Sequence, residues 1–314
     1  MILPLIVATL SVAFPREGTK IPSVEKCYLT GAVPPGVTNV FVQGKAASVH
    51  PLGGWTAMAD VSAGENAIEV FSVDPSGTVT QRVVRNISVA PKKRIVKEAI
   101  SSVAEKVQPY KKLPCAGDVP KVHPALRGVE NPLVVLDPGH GGPVDKGAIS
   151  PHSLPEKDAN LRLAKVLKSE LEKRGWGVIM TREDDSEISL FKRPEIAHKK
   201  NADVFVSIHH NAPPFDRDPR LFRYHCVYAW NEIGKKVAEA INRRMASSLK
   251  GSVKDNGVLH ANYAVTRNPE IPSCLVEVDF ISLPEGEIDS WSQERQKKVA
   301  LAIADGLDDW KKTP

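Results

Sequence analysis

Hydrophobic residues follow two different patterns along the chain. In residues 24–90, short apolar runs rich in β-branched and aromatic residues alternate with turn signals such as Pro34-Pro35-Gly36 and Pro75-Ser76-Gly77. From residue 131 onward, short apolar runs alternate with stretches in which apolar residues recur at helical spacing. The sequence therefore predicts a small all-β sandwich followed by an α/β domain.

The α/β part is predicted to form a mainly parallel sheet covered by helices, since strands and helices alternate along it. The predicted strands are residues 133–136, 177–181, 204–208, 225–229 and 274–280, and the predicted helices are residues 160–174, 196–200, 232–249 and 293–310. Ligands bind beyond the carboxyl ends of the strands in such sheets. We therefore expect functional side chains where these strands end.

The interpretation of the N-terminal segment rests on its length and composition. Residues 1–13 form an apolar run that is shorter than the about 20 residues of a membrane span and fits the core of a signal peptide, although no basic residue precedes it. We expect an exported protein of the periplasm or cell envelope, with a buried strand as the other interpretation of this run. No other segment is apolar enough for a stable membrane span.

The predicted organisation has four parts. Residues 1–21 are a signal peptide and N-terminal segment, residues 22–90 are the sandwich, residues 91–130 are a linker, and residues 131–314 are the α/β domain. Within the linker, residues 95–107 can form a short amphipathic helix, and four prolines then interrupt a polar stretch. Because proline neither continues a helix nor donates to a β-ladder, an extended connection is expected.

Composition excludes several classes of protein. The chain is 42% hydrophobic and 25% charged, as in ordinary globular proteins, and its formal net charge is +5. The densest basic run, Lys92-Lys93-Arg94, lies in the linker rather than on one folded element, so nucleic acid is not an expected partner. Four widely spaced cysteines form no Cys-x-x-Cys pair, which argues against a zinc ribbon or a disulfide scaffold. Cys226 and Cys274 lie in predicted strands and could be neighbours, as buried thiols.

Histidines and carboxylates stand at the predicted strand ends. His140 follows the first strand of the α/β part, His209 and His210 end the third, Glu156 opens a helix, and Glu277 lies inside an apolar strand. Two histidines and a glutamate are a known ligand set for a catalytic zinc with one position left for water, and a second glutamate could move protons. Because an unpaired carboxylate inside an apolar strand is costly, Glu277 is expected to be functional. This pattern indicates a zinc hydrolase.

Residues 132–311 resemble the zinc-dependent N-acetylmuramoyl-L-alanine amidases of the Amidase_3 (AmiC-like) family. The resemblance lies in motifs that follow one another in the family's order, namely Val134 to Gly142, Asp145-Lys146-Gly147-Ala148, Glu156-Lys157-Asp158-Ala159-Asn160-Leu161, Thr181 to Asp185, Leu190-Phe191-Lys192-Arg193, Ala202 to Ala212 and Leu275 to Ser282. The β part resembles immunoglobulin-like modules found beside bacterial extracellular enzymes, through its runs Gly36 to Gly44 and Gly64 to Val70.

The resemblance implies a role for each candidate residue. His140, Glu156 and His209 would hold one Zn²⁺, with His210 as the alternative ligand, and Glu277 would be the general base. The substrate would be peptidoglycan, cut at the amide between N-acetylmuramic acid and L-alanine for wall remodelling or daughter-cell separation. An activator protein of the cell wall or division machinery is a candidate partner.

Two departures from the family pattern concern the surroundings of the site. His209-His210-Asn211 and Ser282-Leu283-Pro284 differ from the usual residues without removing a proposed ligand. The segment of residues 213–223 is short, whereas regulated relatives carry a blocking helix at this place. The site is therefore expected to be open. Two other functions stay open, a non-catalytic wall-binding or regulatory protein on the same fold and a zinc peptidase that cuts within the stem peptide.

Overall fold

Two regions of regular structure follow one another along the chain, as a computed structural model describes for residues 7–92, 129–268 and 270–313. The first region is all-β and the second is α/β, which confirms the predicted fold class. The helix predicted for residues 95–107, and nearly all of the predicted linker, lie outside the described residues.

The β region is a sandwich of two sheets. One sheet has the order β1-β3-β7-β6 and the other the order β2-β9-β8-β4-β5. Side chains from both sheets meet in one core, in which Leu29, Trp55, Ile68 and Ile87 are fully buried. The strands are β1 Ser11–Phe14, β2 Thr19–Ile21, β3 Lys26–Ala32, β4 Asn39–Val42, β5 Lys45–Ala46, β6 Ser48–Val49, β7 Gly54–Asp60, β8 Gly64–Val73 and β9 Val79–Val89.

The sandwich begins earlier than the predicted boundary at residue 22. Strand β1 pairs with β3, and β2 pairs with β9, although both lie in the segment predicted to be a signal peptide and N-terminal segment. Leu10, Val12 and Ile21 are buried in the sandwich core. A short apolar run has the same composition whether it is a buried strand or a signal-peptide core, so composition could not fix this boundary.

The α/β region has a six-stranded sheet of order β11-β10-β12-β15-β13-β14. All neighbouring strands are parallel except β13 and β15, which are antiparallel. The strands are β10 Leu133–Pro138, β11 Gly177–Met180, β12 Val204–Asn211, β13 Tyr224–Ala229, β14 Lys254–His260 and β15 Ser273–Phe280, and the helices are α1 Glu156–Glu172, α2 Lys192–Lys199, α3 Glu232–Ser248, α4 Pro284–Trp291 and α5 Gln293–Lys311.

Two of these elements were not predicted, strand β14 and helix α4. Most residues of β14 are exposed or partly exposed at the sheet edge, so the strand shows no continuous apolar run. Helix α4 has only eight residues and begins with a proline, which gives it a weak helical pattern. In the β13–β15 register, Cys226 stands opposite Glu277 and Cys274 opposite Ala229, so the two cysteines are buried free thiols but not cross-strand neighbours.

Helices α1, α3 and α5 pack on one face of the sheet and bury a continuous apolar cluster. Leu163, Leu167 and Leu171 lie one turn apart on α1 and are all buried, which is the spacing of a helix face. A smaller cluster covers the other face, with Val135 and Phe205 from the sheet and Ala197 from α2. Both faces are covered, as a mainly parallel sheet requires.

Helices α3 and α5 approach closely at Gly306. A Cβ atom added to Gly306 would lie 2.5 Å from the Cα of Ile241 in α3. We expect Gly306→Ala to destabilise the α/β region by about 1–3 kcal/mol because the helices must separate, although alanine is favoured over glycine in a helix by about 1 kcal/mol. Urea unfolding would measure the change, with exposed Lys298→Ala on the same helix as the control; a more stable Gly306→Ala protein would contradict this packing.

Candidate active site

The four candidate residues come from separate segments and meet at the carboxyl edge of the sheet. His140 follows β10, His209 lies near the end of β12, Glu156 is the first residue of α1, and Glu277 is in β15. His209 and Glu277 are direct register partners in neighbouring strands. Helix α1 begins at Glu156, as expected for a residue that opens a helix, and four residues before the periodic run that starts at residue 160. The expected convergence of strand ends therefore occurs here.

His140, Glu156 and His209 form a compact cluster of possible metal ligands. One nitrogen or oxygen atom of each lies within 4.8 Å of the others. The carboxylate of Glu156 contacts both rings, with 3.2 Å from Oε2 to Nε2 of His140 and 2.9 Å from Oε1 to Nδ1 of His209. Burial opposes ionisation of Glu156, but the hydrogen bonds and charges of the two histidines hold its pKa well below the usual value. An ionised carboxylate between two imidazoles could hold a metal ion.

His140 is oriented by a carboxylate behind it. Its Nδ1 atom lies 2.6 Å from Oδ1 of Asp145, which leaves Nε2 to face Glu156. A carboxylate on the second ring nitrogen fixes the tautomer of a metal-binding histidine and makes it a stronger ligand. His140 also has a positive φ of 61°, a conformation that is uncommon for residues other than glycine and that occurs at functional sites.

Two glycines allow the ligand cluster to close. A Cβ atom on Gly139 would lie 2.1 Å from Nε2 of His209, and one on Gly147 would lie 2.5 Å from Oε2 of Glu156. Gly147 also has a φ of 66°, which L side chains rarely adopt. Both glycines belong to the motifs that resemble the amidase family. A larger residue at either position would overlap with His209 or Glu156.

His210, the alternative ligand, is not in the cluster. Successive side chains of a strand point to opposite faces of the sheet, and His210 is buried with its Nδ1 atom 2.8 Å from Oδ1 of Asn160. Burial lowers the pKa of His210 to about 4, which keeps its ring neutral. The structure therefore groups His209, and not His210, with His140 and Glu156.

Asn160 holds the site together but was not identified as a functional residue from the sequence. Its Nδ2 atom donates to Oε1 of Glu156 at 3.1 Å and to the carbonyl of Gly139 at 3.2 Å, and its Oδ1 atom faces His210. Asn160 lies four residues after Glu156 on α1, so the two share a helix face. The four-residue spacing from Glu156 is the sequence feature that could have identified Asn160.

Arg182 and Arg193 fix the chain between β10 and His140. Arg193 pairs with Oδ1 of buried Asp137 at 2.8 Å and donates to the carbonyl of His140 at 2.9 Å. Arg182 donates to the carbonyls of Pro138 and Gly139, both at 3.0 Å. Arg182 also donates to the carbonyl of Lys157 at 2.7 Å. Both arginines support the turn that carries His140.

Glu277 carries a buried oxygen without a hydrogen-bond partner among the described residues. This atom is Oε2, while the residue as a whole is partly buried. Burial, together with the negative charge of Glu156, raises the pKa of Glu277 well above the usual value for a glutamate. Unsatisfied buried polar atoms are rare and costly in native proteins, so this oxygen is placed for a water molecule or a substrate group.

Two cavities meet at the cluster. They have volumes of about 360 Å³ and about 300 Å³ and share His140, His209 and Glu277 in their walls. The larger cavity is also lined by Phe14 and Phe215, and the smaller by Leu190 and Tyr263. A long substrate can therefore extend to both sides of the cluster.

Four other histidines of the α/β region are His152, His198, His225 and His260. His198 and His260 are exposed, His152 is partly buried, and His225 is buried. The Nδ1 atom of His152 lies 2.7 Å from Oε2 of Glu287, and Nε2 of His225 lies 3.9 Å from Oδ1 of Asp255. None of the four belongs to the ligand cluster found among the described residues.

An α/β sheet with a cluster of possible metal ligands and a glutamate oxygen without a partner among the described residues at its carboxyl edge is typical of one class of protein, hydrolases with a metal centre. The family described as Amidase_3, N-acetylmuramoyl-L-alanine amidase, matches residues 134–309. The chain belongs to this family, which confirms the resemblance seen in its motifs.

The chain is also similar in sequence to relatives that are named as amidases. The chain is 33% identical over 221 residues to the N-acetylmuramoyl-L-alanine amidase AmiC of Neisseria meningitidis, covering 58% of this chain and 53% of the relative. It is 32% identical over 216 residues to AmiA of Escherichia coli, covering 56% of this chain and 74% of the relative. The chain thus spans about half the length of the Neisseria relative and about three quarters of the E. coli relative.

The fold is also similar to a solved structure, the amidase AmiC2 of Nostoc punctiforme, with a TM-score of 0.53 and 34% identity. This match covers 57% of this chain and 96% of the Nostoc chain. A second solved structure, the N-acetylmuramoyl-L-alanine amidase of Clostridium difficile 630, has a TM-score of 0.54 and 32% identity over 58% of this chain and 97% of that chain.

The contact between His140 and Asp145 generates a prediction. We expect Asp145→Asn to weaken metal binding by about ten-fold or more, because the amide no longer supports the His140 ring as a charged acceptor. Competition against a colorimetric chelator would measure the affinity for the metal that the purified protein retains. Asp60→Asn is the matched control, since Asp60 is equally exposed and hydrogen-bonded to Lys45 in the sandwich. Equal affinities in both variants would contradict this role of Asp145.

Proposed function

We propose that the protein is a zinc-dependent N-acetylmuramoyl-L-alanine amidase that cleaves the amide between the lactyl group of N-acetylmuramic acid and L-alanine in peptidoglycan. The observation that carries the proposal is the cluster of His140, Glu156 and His209 beside the unpaired oxygen of Glu277, in a chain of the amidase family. Two imidazole nitrogens and one carboxylate are a donor set that suits catalytic zinc, and these three residues would hold the ion. Zinc, when bound, supplies a water of lowered pKa and polarises the scissile carbonyl.

Glu277 would act as the general base. Its Oε2 atom would take a proton from the attacking water and later give it to the nitrogen of the departing L-alanine, so that no net proton is lost from the residue. A pKa raised by burial and by the charge of Glu156 makes the carboxylate a stronger base. Asp145 and Asn160 would keep His140 and Glu156 in position during this transfer.

The site of action would be the cell envelope. A Staphylococcus aureus relative, 34% identical over 184 residues, is named "Probable cell wall amidase LytH", which supports this location. None of the helices in the described ranges combines the length and apolar character that a membrane crossing requires. A solved structure at 28% identity is the CwlD amidase of Clostridioides difficile in complex with the GerS lipoprotein. It supports a partner protein for this chain, for which an activator is the candidate.

Purified protein would be incubated with peptidoglycan sacculi, with and without a chelator, and the released fragments identified by mass spectrometry. The expected result is chelator-sensitive release of peptides with a free L-alanine amino group, restored by Zn²⁺. Fragments cut within the stem peptide would instead indicate a peptidase. Retained zinc without any release, also in the presence of candidate activators, would indicate a binding protein.

The role of Glu277 is tested by Glu277→Gln. We expect this variant to retain its metal and to lose activity on sacculi by about 10²–10⁴-fold, because the amide cannot accept a proton. Metal content by mass spectrometry and peptide release are measured on the same sample, and Glu239→Gln at an exposed position of α3 is the control. A Glu277→Gln protein with the wild-type rate would exclude Glu277 as the base.

A further inference from the structure

Three aromatic rings stack at the junction of the two regions and form what we call the aromatic wall. Phe14 ends β1, Tyr28 lies in β3, and Phe215 follows β12 in the α/β region. The ring centroids are 4.7 Å apart for Phe14 and Tyr28 and 5.6 Å apart for Phe14 and Phe215, with planes inclined by 24° and 28°. Tyr28 is buried, whereas Phe14 and Phe215 are partly exposed. The exposed parts of the wall therefore belong to one residue from each region.

The two regions are in direct contact around this wall. The backbone N–H of Tyr28 donates to the carbonyl of Phe215 at 2.9 Å, and Phe215 packs against the apolar core of the sandwich. A second contact lies at Gly54 in β7, where an added Cβ atom would be 3.0 Å from the side chain of Pro284 and 3.3 Å from that of Pro151. The position of Phe14 beside the site is thus fixed by a backbone hydrogen bond and by close packing.

The wall lines the larger of the two cavities at the metal cluster. All three aromatic residues share this cavity of about 360 Å³ with His140, His209 and Glu277. The family match covers residues 134–309, so it includes Phe215 but neither Phe14 nor Tyr28. The sandwich therefore contributes Phe14 and Tyr28 to the wall of a cavity whose other lining residues belong to the amidase domain.

We propose that Phe14 and Phe215 bind the pyranose ring of N-acetylmuramic acid, on the acyl side of the scissile amide, so that the sandwich is part of the substrate site. This inference rests on the proposed function. A pyranose carries flat patches of C–H bonds, and these pack against the electron-rich faces of aromatic rings. The cavity is within the size range of small-ligand sites, about 300–1,000 Å³. It is also directly continuous with the atoms that would cleave the amide.

Charge favours the sugar over the peptide in this cavity. Its described lining residues include the acidic Glu156 and Glu277 but no lysine or arginine. The sugar of N-acetylmuramic acid is neutral and needs no cation, whereas the peptide leaving group carries carboxylates. The smaller cavity has a cation in its wall, Arg193, together with Asp137 and Asp145, and the peptide would extend into it beside Leu190 and Tyr263.

The test compares two substrates that differ only in the sugar. One is an N-acetylmuramoyl tripeptide, and the other is the same tripeptide acylated with lactic acid alone. For Phe14→Leu and Phe215→Leu, we expect the preference in kcat/KM for the sugar-bearing substrate to fall by about three- to ten-fold, mainly through KM. Leucine retains apolar volume, and thermal unfolding would show that both variants are folded. Phe14→Trp, which restores an aromatic face, should recover most of the preference.

Phe71→Leu is the matched control because Phe71 stacks on Phe41 at 5.3 Å in the sandwich, away from the cavity. It should leave the preference unchanged. An unchanged preference in Phe14→Leu and Phe215→Leu, or an equal loss on both substrates, would overturn the sugar assignment; the latter would move the peptide to this side.

A binding measurement separates this inference from the proposed function. The dissociation constant of the N-acetylmuramoyl tripeptide is measured on Glu277→Gln protein, with and without Phe14→Leu, so that turnover is not required. Weaker binding by about three-fold or more in the double variant supports the aromatic wall even if sacculi are not cleaved. Equal binding in the two proteins would overturn the wall even if the amidase activity is established.

Discussion

The buried carboxylate of Glu156 is the group on which the arrangement of the site depends. An ionised carboxylate is costly to bury unless its oxygens are satisfied. Here Oε2 accepts from the backbone N–H of Ala148, and Oε1 accepts from the backbone N–H of His210 and from Asn160. Each donor comes from a different segment, so satisfying one carboxylate fixes the loop after His140, the end of β12 and the first turn of α1 relative to one another. The two histidine rings then contact the same oxygens.

A second layer of polar contacts holds the strand ends that carry the ligands. Both carboxylate oxygens of buried Asp137 are used, since Oδ1 accepts from Thr181 at 2.6 Å and from Arg193, and Oδ2 accepts from Ser207 at 2.8 Å. These partners belong to β12, α2 and the segment after β11. A fully satisfied buried network gives one defined geometry, because any displacement leaves a charged group unpaired. The His140 turn is therefore held from both sides of β10.

The sequence was sufficient to predict the α/β fold. Of its four candidate residues, the structure brings His140, Glu156 and His209 into one cluster and pairs Glu277 with His209 across neighbouring strands, while their roles stay predictions. The sequence could not separate His209 from His210 by residue type alone. The alternation of side chains along β12 separates the two, because the ring of His209 contacts Glu156 and the ring of His210 contacts Asn160. The unpaired state of Glu277 Oε2 was also beyond the sequence, because it depends on which neighbours fail to reach that atom. The early start of the sandwich was missed, since an apolar run at the N-terminus has the same composition in a strand and in a signal peptide.

The short segment after β12 shows why loop length alone does not describe access to a site. Residues 213–223 were expected to leave the site open because they are too few for a blocking helix. In the structure Pro213 and Phe215 form part of the cavity wall, and Phe215 also packs into the sandwich. A loop that is hydrogen-bonded to a second domain is restrained at its middle as well as at its ends. The conformational entropy of ordering this loop is therefore lost on folding and not on substrate binding. Substrate selection at this side of the cluster is therefore a property of both regions together, and removing the sandwich would take away Phe14 and also the partner that holds Phe215 in place.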